Sequence, residues 1–108
     1  MNSLQKNYQF DIVYKRGKSL VNKHFVMYVL PNKKNENYYG LSVSKKLGKA
    51  VKRNRTRRLI KECLRLEESF IKKGYDVVVI ARESARGIDF YETKKSINNL
   101  IRRHGMAL

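Results

Sequence analysis

The run Tyr75 to Ala81, "YDVVVIA", does not alternate between apolar and polar residues. A strand with one wet face alternates with period two. A short branched run without that period is buried on both faces and belongs at the centre of a sheet. The fold is therefore organised around this strand, and the remaining elements are read by how they can serve it. Leu4 to Arg16 reads as a helix closed by Gly17, a residue suited to the left-handed C-cap position. "HFVMYVL", His24 to Leu30, is rich in aromatic and branched residues and reads as a strand. "NYYGLSV", Asn37 to Val43, puts Tyr39, Leu41 and Val43 on one face and Tyr38, Gly40 and Ser42 on the other. With the polar loop around Pro31, the chain's single proline, these two strands are expected to form a hairpin.

A long helix follows, expected from about Lys49 to Lys72, with Leu59, Cys63, Leu66 and Phe70 as a core-facing stripe and Ile60 beside it. Asn54, Arg58, Lys61 and Arg65 repeat at helical spacing on another face. A last helix begins at Asp89, with Glu92 three residues on as in a capping box. It buries Ile97, Leu100 and Ile101 and stops at Gly105. The order α-β-β-β-α-β-α, with about four strands in a mixed sheet, predicts an α+β two-layer sandwich. At 108 residues the chain makes one domain, residues 1–108.

The helix carries an unusual load. From Lys45 to Lys61 there are nine Lys or Arg in seventeen residues and no acid. The chain has 25 Lys and Arg against 9 Asp and Glu, a net charge of +16. Such an imbalance repels itself and calls for a polyanionic partner. Charge runs of this kind usually form a solvated helix face. Here the charges share one sign, so they form no i,i+4 ion pairs. They also crowd into the first turns, against the helix dipole. Phosphates at that end resolve the conflict, because free N–H groups and cations both favour them. Nucleic acid is the first candidate partner, and sulfate or phosphate is expected to stabilise the free fold.

Other chemistries lack their residues. Cys63 is the only cysteine, so there is no intrachain disulfide, and its place on the apolar stripe reads as an inert core thiol. His24 and His104 have no ligand-like neighbours for a metal, and His104 reads as a helix C-terminal residue suited to the dipole. No nucleophile–base arrangement is spaced for catalysis, so no catalytic residue is expected in the protein. "FVMYVL" and "VVVIA" are too short to span a bilayer, and the N-terminal segment has no apolar signal region. The expected setting is the cytoplasm, with no membrane partner.

The stretch "GLSVSKKLGKAVKRNRTRRLIKE" resembles the signature of the bacterial ribonuclease P protein component, with Arg53-Asn54-Arg55 following the lead-in Ser44 to Val51. "YQFDIVYKRGKS", "HFVMYVL", "DVVVIAR" and "YETKKS" stand in the family's order, so the resemblance runs from about Tyr8 to Arg103. It implies a left-handed βαβ crossover. It implies a protein that assists a catalytic RNA in removing the 5′ leader of precursor tRNA, with the hydrolysis carried by the RNA and its Mg²⁺. It implies RNA-facing roles for Lys46, Lys49, Arg53, Asn54, Arg57, Arg58 and Lys61. Lys45, Lys52, Arg55 and Arg65 complete the candidate RNA-binding set. Phe10, Tyr14 and Tyr28 match the aromatic positions of a leader-binding cleft between the first helix and the sheet. Tyr14 departs from the Phe expected there, which keeps a ring and adds a hydroxyl. A general RNA-binding or ribosome-associated protein with no role in cleavage is the alternative. DNA is not the expected partner, since strands rather than a helix-turn-helix partner precede the basic helix. A stand-alone nuclease would need a carboxylate cluster that the sequence does not assemble.

Overall fold

Val77, Val78 and Val79 are all buried, as a run without alternation requires. In the computed structural model, which describes residues 1–108, they lie on β5 (Tyr75–Ala81), the middle strand of a five-stranded sheet. The other strands are β1 (Asn2–Ser3), β2 (Lys18–Val21), β3 (Phe25–Pro31) and β4 (Tyr38–Ser42). The helices are α1 (Asn7–Arg16), α2 (Ala50–Glu67) and α3 (Phe90–Arg103). The strand order is β1-β4-β5-β3-β2. β5 pairs parallel with β4 and antiparallel with β3, which makes the sheet mixed and the class α+β.

Alternation along β5 divides the molecule. Val77 and Val79 join Phe25, Met27 and Val29 in the main core, closed by Ile60 and Leu64 of α2 and Ile97, Leu100 and Ile101 of α3. Val78 points the other way, into a smaller cluster with Leu4 and Val13, where Phe10, Tyr14 and Tyr28 also pack. Thus α2 and α3 cover one face and α1 lies across the other. Asp89 caps α3, its carboxylate accepting from Glu92 N at 2.8 Å.

Several sequence expectations need correction. A fifth strand is present: Leu4 and the residues before it are extended and dock beside β4, with Leu4 N donating to Tyr39 O at 2.8 Å, so α1 begins only at Asn7. β3 and β4 do not form a hairpin, because β5 lies between them. The hairpin partner of β3 is β2, with Ser19 opposite Tyr28. A strand buried on both faces outcompetes a sequence neighbour for the central position, because it has the most apolar surface to hide. Gly17 is not a left-handed cap: its φ is −79° and ψ 159°. Glycine is needed there because a Cβ would lie 2.6 Å from Val13 O and 3.1 Å from Val29 O.

The core stripe of α2 is also shifted. Thr56, Ile60, Cys63 and Leu64 are buried, Leu59 is half-buried, and Leu66 and Phe70 are exposed. Thr56 occupies a core-facing position with its hydroxyl donating to Lys52 O at 3.2 Å, so counting large apolar residues misses the true face. α2 ends at Glu67, and a 3-10 turn (Glu68–Phe70) replaces the expected continuation to Lys72. His104 is the C-cap residue of α3, as expected, with its ring turned toward the sheet. Its Nε2 lies 2.9 Å from Met27 O on β3, and burial holds its pKa below the ordinary histidine value.

Candidate nucleic-acid interface

α2 starts without the usual oxygen cap. Lys49 is its N-cap residue and makes no side-chain hydrogen bond to the first turn, which contains no acid. The free N–H groups of that turn therefore face outward beside exposed Lys45, Lys46, Lys49 and Lys52. The lead-in is held rigidly to deliver them. Ser44 Oγ accepts from Lys46 N at 3.3 Å, Leu47 is buried, and Gly48 takes φ +113° to turn the chain into the helix. None of the cations from Lys45 to Lys61 has an ion pair within the protein.

The eleven candidate RNA-binding residues do not stand alike. Asn54, Arg58 and Lys61 are exposed on one face, as the spacing required. Arg57 donates to Asn54 Oδ1 at 3.1 Å, which leaves the Asn54 amide N–H groups outward as donors. Arg53 is half-buried, and its Nε is buried with no protein acceptor. Arg55 is turned to donate to Ile88 O at 3.2 Å. Arg65 is offset by Glu62, with contacts of 3.0 and 2.6 Å that lower the Glu62 pKa and raise that of Arg65.

On the opposite side of the sheet, α1 and β4 form a groove of about 440 Å³. Phe10 and Tyr14 line it, together with Asn7, Asp11, Leu41 and Ser42. Tyr14 meets Tyr28 edge-on at 5.0 Å between ring centres, and Phe10 at 6.4 Å. Tyr28 therefore stands behind Tyr14 and supports it, outside the groove's lining. Phe10 rests on Gly40, where a Cβ would be 2.6 Å from its ring. Burial raises the Tyr14 pKa, and a hydrogen bond with Ser42 opposes the rise, so the hydroxyl stays protonated at neutral pH.

A second hollow, about 570 Å³, is lined by Lys46, Ser44 and Ile80 together with Lys23, Arg82 and Ser84. It brings Lys46 of the basic segment together with two cations, Lys23 and Arg82, that the sequence reading left out. No local pattern marks them; they meet only because Phe25 pairs with Ala81 across the sheet.

No group of three or more His, Cys, Asp or Glu side chains is gathered anywhere in the fold. Cys63 is buried, with its thiol pushed up to about 11, largely by burial. No helix is long and apolar enough to cross a membrane.

The family model described as Ribonuclease P matches residues 1–105. The ribonuclease P protein component of Clostridium kluyveri is 50% identical over 105 residues, covering 95% of this chain and 94% of the relative. The solved ribonuclease P protein of Staphylococcus aureus superposes with a TM-score of 0.92 at 34% identity, covering 100% of this chain and 99% of that one. That of Thermotoga maritima gives a TM-score of 0.88 at 33% identity, covering 95% and 97%.

Proposed function

Because the chain belongs to the ribonuclease P protein family, with the role in tRNA 5′ processing that membership implies, we propose that it grips both RNAs of that reaction. In this reading α2 lies against the catalytic RNA and the α1–β4 groove holds the 5′ leader of precursor tRNA. The observation that carries it is the helix with two opposed sides: Ile60 and Leu64 packed in the core, and a run of cations from Lys45 to Lys61 with no ion pair inside the protein.

Each part has a physical task. Lys46, Lys49, Arg53, Arg58 and Lys61 neutralise phosphates and set orientation without reading sequence. Phe10 and Tyr14 offer ring faces to unpaired bases, worth roughly 1–3 kcal/mol per base. Mg²⁺ supplies the activated water of the hydrolysis when bound to the RNA. This chain gathers no group of three or more His, Cys, Asp or Glu side chains, and in this reading the RNA holds the ion and carries the hydrolysis. Fixed cations replace part of the RNA's counterion atmosphere, and the Mg²⁺ concentration needed for cleavage falls.

The test is reconstitution with a bacterial ribonuclease P RNA and a precursor tRNA carrying a short leader, at low Mg²⁺ and moderate salt. The protein is expected to restore accurate 5′ cleavage. Binding of both RNAs with no change in rate or Mg²⁺ requirement would leave a general RNA-binding protein as the better description. The same charge repulsion makes the free fold responsive to anions. Its thermal midpoint is expected to rise with sulfate by more than it does with chloride at equal ionic strength. Equal midpoints in the two salts would remove that idea.

A further inference from the structure

A pocket of about 290 Å³ opens where the turn between β2 and β3 meets α3, and no apolar side chain and no residue of α2 lines it. Its floor is fixed. Asn22 Oδ1 accepts from His24 N, Phe25 N and Ser96 Oγ at 3.0–3.2 Å. Asn22 Nδ2 donates to Ser96 O at 2.9 Å and to Asn99 Oδ1 at 3.2 Å. Asn99 Oδ1 also accepts from Arg103 Nη1 at 3.4 Å. These two donors set the orientation of the Asn99 amide, so its NH₂ has no protein acceptor and remains a directed donor. Lys23 and Lys95 line the same pocket, and neither has an ion pair. Glu92 lines it too, with its carboxylate 4.0 Å from His24 Nε2.

We propose that this pocket binds the ribose-phosphate backbone of a single RNA strand, as a contact separate from the basic helix. Two ammonium groups and an oriented amide suit a phosphate. Glu92 would repel a bare phosphate cluster, but it accepts a hydrogen bond from a ribose 2′-hydroxyl, the group that separates RNA from DNA. Lys23 also lines the hollow that holds Lys46 and Arg82. One cationic path therefore runs from the lead-in of α2 around the β2–β3 turn to α3. The proposal takes from the preceding reading only the kind of partner.

The experiment measures anisotropy of a fluorescein-labelled single-stranded oligoribonucleotide of about ten nucleotides and its deoxy counterpart, at several salt concentrations. The proteins are the wild type, the double variant Lys23→Ala/Lys95→Ala, and Asn99→Asp. Asn99→Asp keeps the oxygen that Asn22 and Arg103 use while replacing the free amide donor with a negatively charged oxygen that repels phosphate, and a thermal midpoint verifies its fold. The double variant is expected to bind RNA about tenfold more weakly and to lose about 1.4 from the slope of log affinity against log salt. Asn99→Asp should weaken RNA binding at an unchanged midpoint. Both losses should persist when Arg53 and Arg58 are already alanine, so failure of the basic-helix reading leaves this result legible. Precursor tRNAs with short and long leaders, and the catalytic RNA alone, then identify which strand enters; a loss with either one upholds the site. Unchanged RNA affinity and slope in both variants would overturn it, and wild-type affinity for the deoxy strand equal to that for the RNA strand would overturn the ribose assignment.

Discussion

Replacing Arg53 and Arg58 together with alanine is expected to weaken binding to the catalytic RNA by at least about tenfold at moderate salt, and to lower the salt slope by between about 1.4 and 1.8. Arg58 is exposed, and Arg53 Nε is a buried donor that no protein atom satisfies. A buried donor without an acceptor carries a desolvation cost of about 1–3 kcal/mol, so the Arg53 side chain is expected to turn outward onto a phosphate when the RNA docks. Arg53 therefore stands to gain more from the partner than a freely solvated lysine does. Cleavage at low Mg²⁺ should fall in parallel and recover as Mg²⁺ is raised, because the ion can replace the missing charge. Arg65→Ala is the internal control: Glu62 already offsets that guanidinium, so the slope should scarcely change. An equal effect from Arg65→Ala would mean that the protein contributes only net charge, without a defined face.

Gly40→Ala should act on the groove and spare the helix. The added Cβ would come within 2.6 Å of the Phe10 ring and 3.3 Å of Leu4 Cβ. Leu4 is buried beside it, so the ring has to leave its seat on β4. Overpacking of this kind costs about 1–3 kcal/mol of stability. The larger effect is on single-stranded leader, where loss of a stacking platform worth roughly 1–3 kcal/mol is expected to weaken binding between about five- and 150-fold. Precursor tRNA with its leader should lose affinity, while mature tRNA and the catalytic RNA should not. Substrates with and without leader losing affinity equally would show that Phe10 is only a core residue.

The sequence disclosed those features whose cause is local. β5 was legible because a branched run without alternation has no wet face. α3 was legible because Asp89 states where it begins, and Ile97, Leu100 and Ile101 repeat at helical spacing. The polar and cationic face was legible because Asn54, Arg58 and Lys61 repeat at helical spacing and charged groups stay in water, and all three are exposed. What failed depended on distant partners. Leu59, Leu66 and Phe70 are apolar at helical spacing, yet the sheet and α3 meet α2 along Thr56, Ile60, Cys63 and Leu64. The β3–β4 hairpin was the natural reading of two adjacent strands and a loop, and only competition from β5 excludes it. Gly17 announced a glycine-specific position correctly, but the constraint is two carbonyl oxygens, one of them on a strand not yet in view. Lys23 and Arg82 lie far apart in the chain, and strand pairing alone makes them neighbours.

The central position of β5 also orders events in time. Until residues 75–81 exist, β3 has only β2 beside it and β4 has only the two residues of β1. Two-stranded pieces of this size are marginal on their own. The sheet therefore closes through a long-range pairing, which is slow because the intervening loop entropy is lost first. On a ribosome, the basic segment from Lys45 to Lys61 emerges before the strand that gives it a platform. For that interval the nascent segment is an unfolded polycation beside the ribosome's own RNA, and its charge is exposed before its shape.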